Sequence, residues 1–238
     1  MKVFLAGAGG AIGRRLTPLL RKAGHDVTGT TRSADKADAL RALGAEPVVI
    51  DVFDADALAH AVKAAAPQVI IHQLTDLAFA PNTPRYNEGL ERNSKLRVDG
   101  TRNLVAAARE AGVKRMIAQS IAFVYAPGEG TRSETDSLDV AATGARKGTV
   151  DGVVALEQTT LELPEGIVLR YGFLYGPGTW FEDAKRAKPA LHIDAAAQAA
   201  LLAVMKGTRG IYNIAEDDGA ISSEKAKREF GFDASFRL

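Results

Sequence analysis

Val3-Phe4-Leu5-Ala6-Gly7-Ala8-Gly9-Gly10-Ala11-Ile12-Gly13 reads as a strand, a turn and the start of a helix. A short apolar run ending in glycines is the pattern of a buried strand. Ile12, Leu16, Leu19 and Leu20 then recur at helical spacing until Gly24. Pro18 falls in that stretch, early enough that first turns would tolerate it. In this setting each glycine has a mechanical role. Gly7 permits the tight turn, Gly10 lets backbone approach a pyrophosphate, and Gly13 lets helix pack closely on strand. The exposed N–H groups of the first turn, at Ala11 and Ile12, and the positive end of the helix dipole would hold the phosphates. A dinucleotide site is expected here; an ordinary glycine turn is the alternative reading.

The pattern continues outward. Strands are expected at 27–31, 47–50, 69–72, 115–120 and 167–170, with helices at 33–43, from Asp54 to 65, at 92–111 and at 152–163. Ser33 is expected to cap the second helix. Alternation of strands with helices of ~10–15 residues implies right-handed crossovers and a parallel sheet. The expected fold class is α/β, a doubly wound Rossmann-type sheet over residues 1–170. After Tyr171 the pattern loosens, and 171–238 is expected to form a small substrate lobe contiguous with the first unit. The stretch 126–147 is polar and irregular, and is expected to be a loop near the site.

Composition narrows the function classes. The chain has 238 residues, 46% hydrophobic and 25% charged, with net charge +1 and no cysteine. Thiolate catalysis, disulfides and sulfur-ligated zinc are excluded. No broad basic field exists to collect nucleic acid or anionic lipid. His25, His60, His72 and His192 lack metal-ligand spacing. No apolar run reaches the ~20 residues that span a bilayer. A cytoplasmic protein, monomeric or homodimeric, acting on a small molecule is expected.

The end of the second strand discriminates between cofactors. An acid there would hold a ribose 2′-hydroxyl. The chain has Thr31-Arg32 instead. Arginine can pair bidentately with a 2′-phosphate and stack on adenine. NADP(H) is therefore the expected cofactor; a solvated surface arginine is the alternative reading. Asp51 and Val52, past the third strand, are placed to meet the adenine, though Asp51 could instead lead the third helix. Gln73 and Leu74 follow the fourth strand and are also expected to contact the cofactor.

The glycine loop, Asp51-Val52, Val69-Ile70-Ile71-His72, Gly100-Thr101-Arg102-Asn103-Leu104, Val124-Tyr125 and the run from Leu169-Arg170-Tyr171 to Gly176-Pro177-Gly178 occur in one order. Together they resemble the extended short-chain dehydrogenase/reductase family, also called the NAD-dependent epimerase/dehydratase family. That resemblance implies catalytic groups at four positions. They are occupied here by Ile121, Thr149, Val153 and Arg97, and no Tyr-x-x-x-Lys occurs anywhere in the chain. The chain is similar to atypical members such as ketoreductases that tailor aromatic natural products, or to non-catalytic redox-sensing members. Only 13 residues separate Gly178 from His192, fewer than the resemblance implies. This reads as a lost lid or as an incomplete chain.

Two residues are candidates for the chemistry. Ser120 ends the fifth strand and could bond a substrate carbonyl. Tyr125 could donate to a developing alkoxide across the same pocket. Structural roles for both are the alternative readings. Arg97 faces the sheet if the long helix docks as the resemblance implies, and could bind an acidic substrate or the cofactor; a surface salt bridge is the alternative. His72 reads as a buried strand histidine. Tyr171, Phe173, Tyr175 and Trp180 are expected to form an aromatic cluster suited to a flat substrate; core packing explains Tyr171 and Phe173 equally well. The expected activity is NADPH-dependent reduction of a ketone or similar carbonyl by direct hydride transfer. The alternatives are an NADP(H)-sensing binding protein and a nucleotide-sugar epimerase or dehydratase.

Overall fold

The computed structural model describes residues 1–77, 79, 81, 83–182 and 187–238. Strands β1 (Lys2–Ala6), β2 (Asp26–Thr31), β3 (Ala45–Val49), β4 (Val69–His72), β5 (Arg115–Ile121), β6 (Glu165–Tyr171) and β9 (Gly210–Ile214) form one parallel sheet in the order β3-β2-β1-β4-β5-β6-β9. The chain winds outward from β1 to β3, then crosses back to place β4 beside β1. That reversal opens a crevice beyond the carboxyl ends of β1 and β4, where α/β sheets of this kind bind ligands.

Side-chain alternation sorts the strand residues onto two faces. Val3 and Leu5 join a core that includes Leu16 and Leu20 of α1 (Ala11–Lys22) and six alanines of α7 (Ile193–Met205). The alanines bring α7 close to α1 and the sheet. Phe4 and Ala6 face the other core, with Leu58 and Val62 of α3 (Ala55–Ala65), Leu104 of α5 (Thr101–Glu110) and Leu156 of α6 (Gly144–Thr160).

Several local expectations are corrected. Ser33 makes no side-chain cap; a 3-10 turn over Ala34–Lys36 precedes α2 (Ala37–Ala42). Asp54 does cap α3, accepting from the Ala57 N–H at 3.0 Å. Pro18 lies in the body of α1, beyond the first turn. It is exposed, so the carbonyl it leaves without a helical donor can face water. The helix expected over 92–111 is two helices, α4 (Tyr86–Lys95) and α5, joined by a wide π turn at Leu96–Gly100. Helix α6 starts at Gly144, eight residues earlier than expected.

Within 171–238, β9 completes the main sheet and α7 covers it. A separate two-stranded pair, β7 (Phe173–Tyr175) with β8 (Ala190–His192), stands beside them. Helix α8 (Glu224–Phe230) follows β9. The question of a lid between Gly178 and His192 falls partly outside the described residues.

Candidate cofactor cleft and active site

A cleft of about 290 Å³ lies at the carboxyl ends of β1, β2 and β4. Its walls include Gly7, Gly9, Gly10, Arg32, Asp51, Val52, Gln73 and Leu74. The four glycines of the loop differ in what surrounds them. Gly7 has φ +93°, and a Cβ there would lie 2.7 Å from the Gln73 carbonyl oxygen. A Cβ on Gly13 would lie 2.2 Å from the Gly7 carbonyl, so that glycine serves packing. Around Gly10 only the Gly7 carbonyl comes near, at 3.3 Å, and around Gly9 nothing lies within 4 Å. Those two leave open space above the backbone.

The N–H groups of Ala11, Ile12 and Gly13 make no hydrogen bond among the described residues, since the first helical bond runs from Arg14 to Gly10. They are the unpaired donors of a helix N-terminus. Ala11 and Ile12 offer only backbone; the Ile12 side chain is buried in the core.

At the outer end of the cleft, Arg32 is exposed and reaches Asp76 only at 3.9 Å. Asp76 is held by Arg92 at 2.9 Å. Lys36 lines the same wall, four residues after Arg32, and has no ion pair among the described residues. Sequence reading missed Lys36, although the Arg-x-x-x-Lys spacing was visible. Asp51 accepts from the Phe53 N–H at 3.0 Å, so it shapes the turn before α3 while facing the cleft. At the inner end, the Gln73 Nε2 donates to the Tyr171 hydroxyl at 3.3 Å, and the buried Gln73 Oε1 has no partner. A polar atom in that state suits a ligand donor. Free helix donors, space over Gly9 and Gly10, and cations at the β2 end fit a dinucleotide.

Beyond β5 the structure brings Ser120 and Tyr125 together, but through buried partners rather than across an open pocket. The Ser120 hydroxyl donates to Glu157 Oε1 at 2.8 Å. Arg170 holds the same carboxylate through two bonds, of 2.8 and 2.6 Å. Arg170 also donates to the Tyr125 hydroxyl at 2.8 Å, and Tyr125 in turn donates to Asn213 Oδ1 at 2.6 Å. Burial raises the Tyr125 pKa, against the pull of Arg170. Glu157, Arg170 and Asn213 were not among the sequence candidates. A charged residue inside the run Ile167-Val168-Leu169-Arg170-Tyr171 was the available signal, because arginine is seldom buried without a partner.

The positions where the resemblance implies a serine and a lysine are apolar. Ile121 and Val153 pack with Val124 and Val150 in one buried cluster. Thr149, on the same helix, bonds back to the Ala145 carbonyl at 3.4 Å. The aromatic residues do not form one cluster. Phe173 stacks on Phe123 at 3.9 Å, Tyr175 meets His192, Trp180 meets Tyr86, and Tyr171 is buried with its hydroxyl on the Ala196 carbonyl.

Two groups lie between β4 and α6. His72 accepts from the Leu74 N–H at its Nδ1, so Nε2 carries the proton and donates to Thr101 Oγ1 at 3.1 Å. Burial first, and Arg97 second, lower its pKa to about 4, so it is neutral at physiological pH. Arg97 sits on the π turn, 8% exposed. No hydrogen bond or salt bridge holds it among the described residues. No metal-binding cluster of three or more His, Asp or Glu residues is found among the described residues, and no helix among them is long and apolar enough to cross a membrane.

Comparison with known proteins agrees with this geometry. Residues 7–160 match the family model described as NAD(P)H-binding. A 3-diazoavenalumate denitrifying reductase from a Streptomyces species is 37% identical, over 94% of this chain and 79% of that protein. The yeast methylglyoxal/isovaleraldehyde reductase complexed with NADPH superposes with a TM-score of 0.79 at 17% identity, over 100% of this chain and 94% of the other. The UDP-glucose 4-epimerase of Thermotoga maritima, solved with UDP-glucose, gives 0.78 at 16% identity, over 100% of this chain and 95% of the other. The two solved structures share the fold. The reductase names among these relatives support an NAD(P)H-dependent oxidoreductase. The chain belongs to the NAD(P)H-binding family and has the fold of the extended short-chain dehydrogenase/reductases.

Proposed function

We propose that this chain is an NADPH-dependent reductase of a small carbonyl compound that works without a dedicated side-chain proton donor. The observation that carries this reading is the engagement of both candidate hydroxyls. Ser120 and Tyr125 are tied to Glu157, Arg170 and Asn213, and Ile121 and Val153 fill the neighbouring space with apolar groups. When bound, NADPH supplies the hydride. The chain's own contribution is to bind and orient. The N–H groups of Ala11, Ile12 and Gly13 hold phosphate oxygens, and Gly10 allows their approach. Arg32 and Lys36 receive a 2′-phosphate. Asp51 and Val52 flank the adenine, and Gln73 and Leu74 line the inner end. Holding two reactants in line is worth ~7–11 kcal/mol in well-oriented reactions. A proton for a carbonyl oxygen comes from water or from the substrate.

A second reading is favoured by the diazo group in the name of the 37% identical relative. Replacing an arenediazonium group by hydrogen consumes a hydride and releases dinitrogen, with no proton taken up. A site without a proton donor suits that reaction. The test is NADPH consumption, followed at the reduced nicotinamide band, with quinones, aromatic ketones and arenediazonium salts. Consumption with a carbonyl supports the first reading, and consumption with diazonium salts alone supports the second. NADPH that binds but is never consumed would favour a redox-sensing module instead.

A further inference from the structure

The π turn at Leu96–Gly100 sets Arg97 into the protein, within electrostatic reach of His72 on β4 and Glu157 on α6. Turns of this kind are frequent at functional sites. Leu96, the preceding residue, lines the cofactor cleft. Arg97 itself retains 8% of its surface.

The charges around Arg97 do not balance. Glu157 is its acidic neighbour, but that carboxylate already receives two bonds from Arg170 and one from Ser120. His72 is neutral, and its ring is bonded to Thr101 and Leu74. Among the described residues, two buried guanidinium groups therefore share one carboxylate, leaving one positive charge over. Burial lowers the Arg97 pKa only to about 10, so the charge persists at neutral pH. A buried charge without a partner is destabilising, and a neutral carbonyl oxygen compensates it poorly. A full anion compensates it well, because guanidinium and carboxylate pair through charge-assisted bonds. Under the proposed function the first turn of α1, Arg32 and Lys36 would hold the cofactor phosphates, which leaves Arg97 without a role there.

We infer that Arg97 is a substrate-binding residue that pairs with an anionic oxygen, so the site takes small organic acids, carboxylates or phenolates. Identifying that anion as substrate rests on the reductase reading; the binding of an anion at Arg97 does not.

The test is calorimetric titration of benzoate, and of its neutral analogue benzamide, into the protein saturated with NADP⁺. The wild type should bind benzoate at least about 10-fold more tightly than benzamide, as expected for a charge-assisted pair. In Arg97→Gln that ratio should fall to within about 2-fold, with NADP⁺ affinity unchanged. Arg97→Lys, which keeps the charge and loses the fork, should lie between them. The melting temperature of Arg97→Gln should equal or exceed that of the wild type, since an unpaired cation has been removed. Benzoate binding no better than benzamide in the wild type, including no binding of either, overturns the inference. So does a preference that survives in Arg97→Gln, or a lowered melting temperature in that variant, which would make Arg97 a structural residue. None of these readings needs turnover. Absence of NADPH consumption would therefore count against the reductase reading and leave the anion site standing.

Discussion

Glu157 and Arg170 form a bidentate ion pair, Nε to Oε1 at 2.8 Å and Nη2 to Oε2 at 2.6 Å, with side-chain exposures of only 5% and 4%. The pair ties α6 to β6, and Ser120 joins it to β5. Removing one partner leaves the other charged and buried. Glu157→Gln should therefore destabilise the fold by about 3–5 kcal/mol, the range for breaking a buried pair. The urea midpoint checks this. A change below about 1 kcal/mol would mean that water reaches the pair.

Because Ser120 and Tyr125 hang on that pair, neither is expected to be an indispensable acid. Ser120→Ala and Tyr125→Phe should each lower turnover by no more than ~10²-fold, the lower end of what general acid catalysis contributes. Steady-state kinetics on an active substrate, with NADPH affinity measured in parallel, decide it. A loss of ~10⁴-fold in either variant, with affinity unchanged, would show that the chain has moved its catalytic acid to a new position.

Gly10 and Gly13 should respond differently to a side chain. Gly10→Val should abolish NADPH binding and leave the circular dichroism spectrum unchanged, because the side chain takes the space over the loop. Gly13→Ala should lower the melting temperature, because its Cβ would sit 2.2 Å from the Gly7 carbonyl oxygen. Normal binding by Gly10→Val would mean that the phosphates lie elsewhere.

Arg32 and Lys36 should set the preference for NADPH over NADH. A lost charged hydrogen bond costs ~1.5–3 kcal/mol, before solvent screening reduces it at an exposed residue. Arg32→Ala should weaken NADPH binding and spare NADH, and the double variant with Lys36→Ala should abolish the preference. Titration of both cofactors reads this out. A preference kept by the double variant would place the 2′-phosphate elsewhere.

The parts legible in the sequence are local ones. The strand, glycine turn and helix of residues 3–13 carry their mechanism within one turn of chain, and the β–α alternation gave the sheet. The boundary between α4 and α5 was hidden because the π turn keeps the chain helical, and Gly100 alone does not distinguish a wider turn from a continuous helix. The network below β5 was hidden for another reason. Ser120 lies 37 residues from Glu157, and Tyr125 lies 88 from Asn213, so no window holds both partners. Ser120 and Tyr125 were identifiable as polar groups near a strand end, but what they bond to depends on which strands become neighbours. The aromatic residues after β6 looked like a cluster because they are close in sequence. Alternation along β6 and β7 and the turn beyond them sends their rings to different partners.

The most direct test of the account is product labelling with NADPH deuterated at the transferring position of the nicotinamide. Incubation with the protein and a panel of aromatic ketones and arenediazonium salts should yield one product carrying a single carbon-bound deuterium, matched one to one by NADP⁺ formed. Tight NADPH binding with no deuterium in any product, under conditions where every panel member is soluble and stable, would contradict the account.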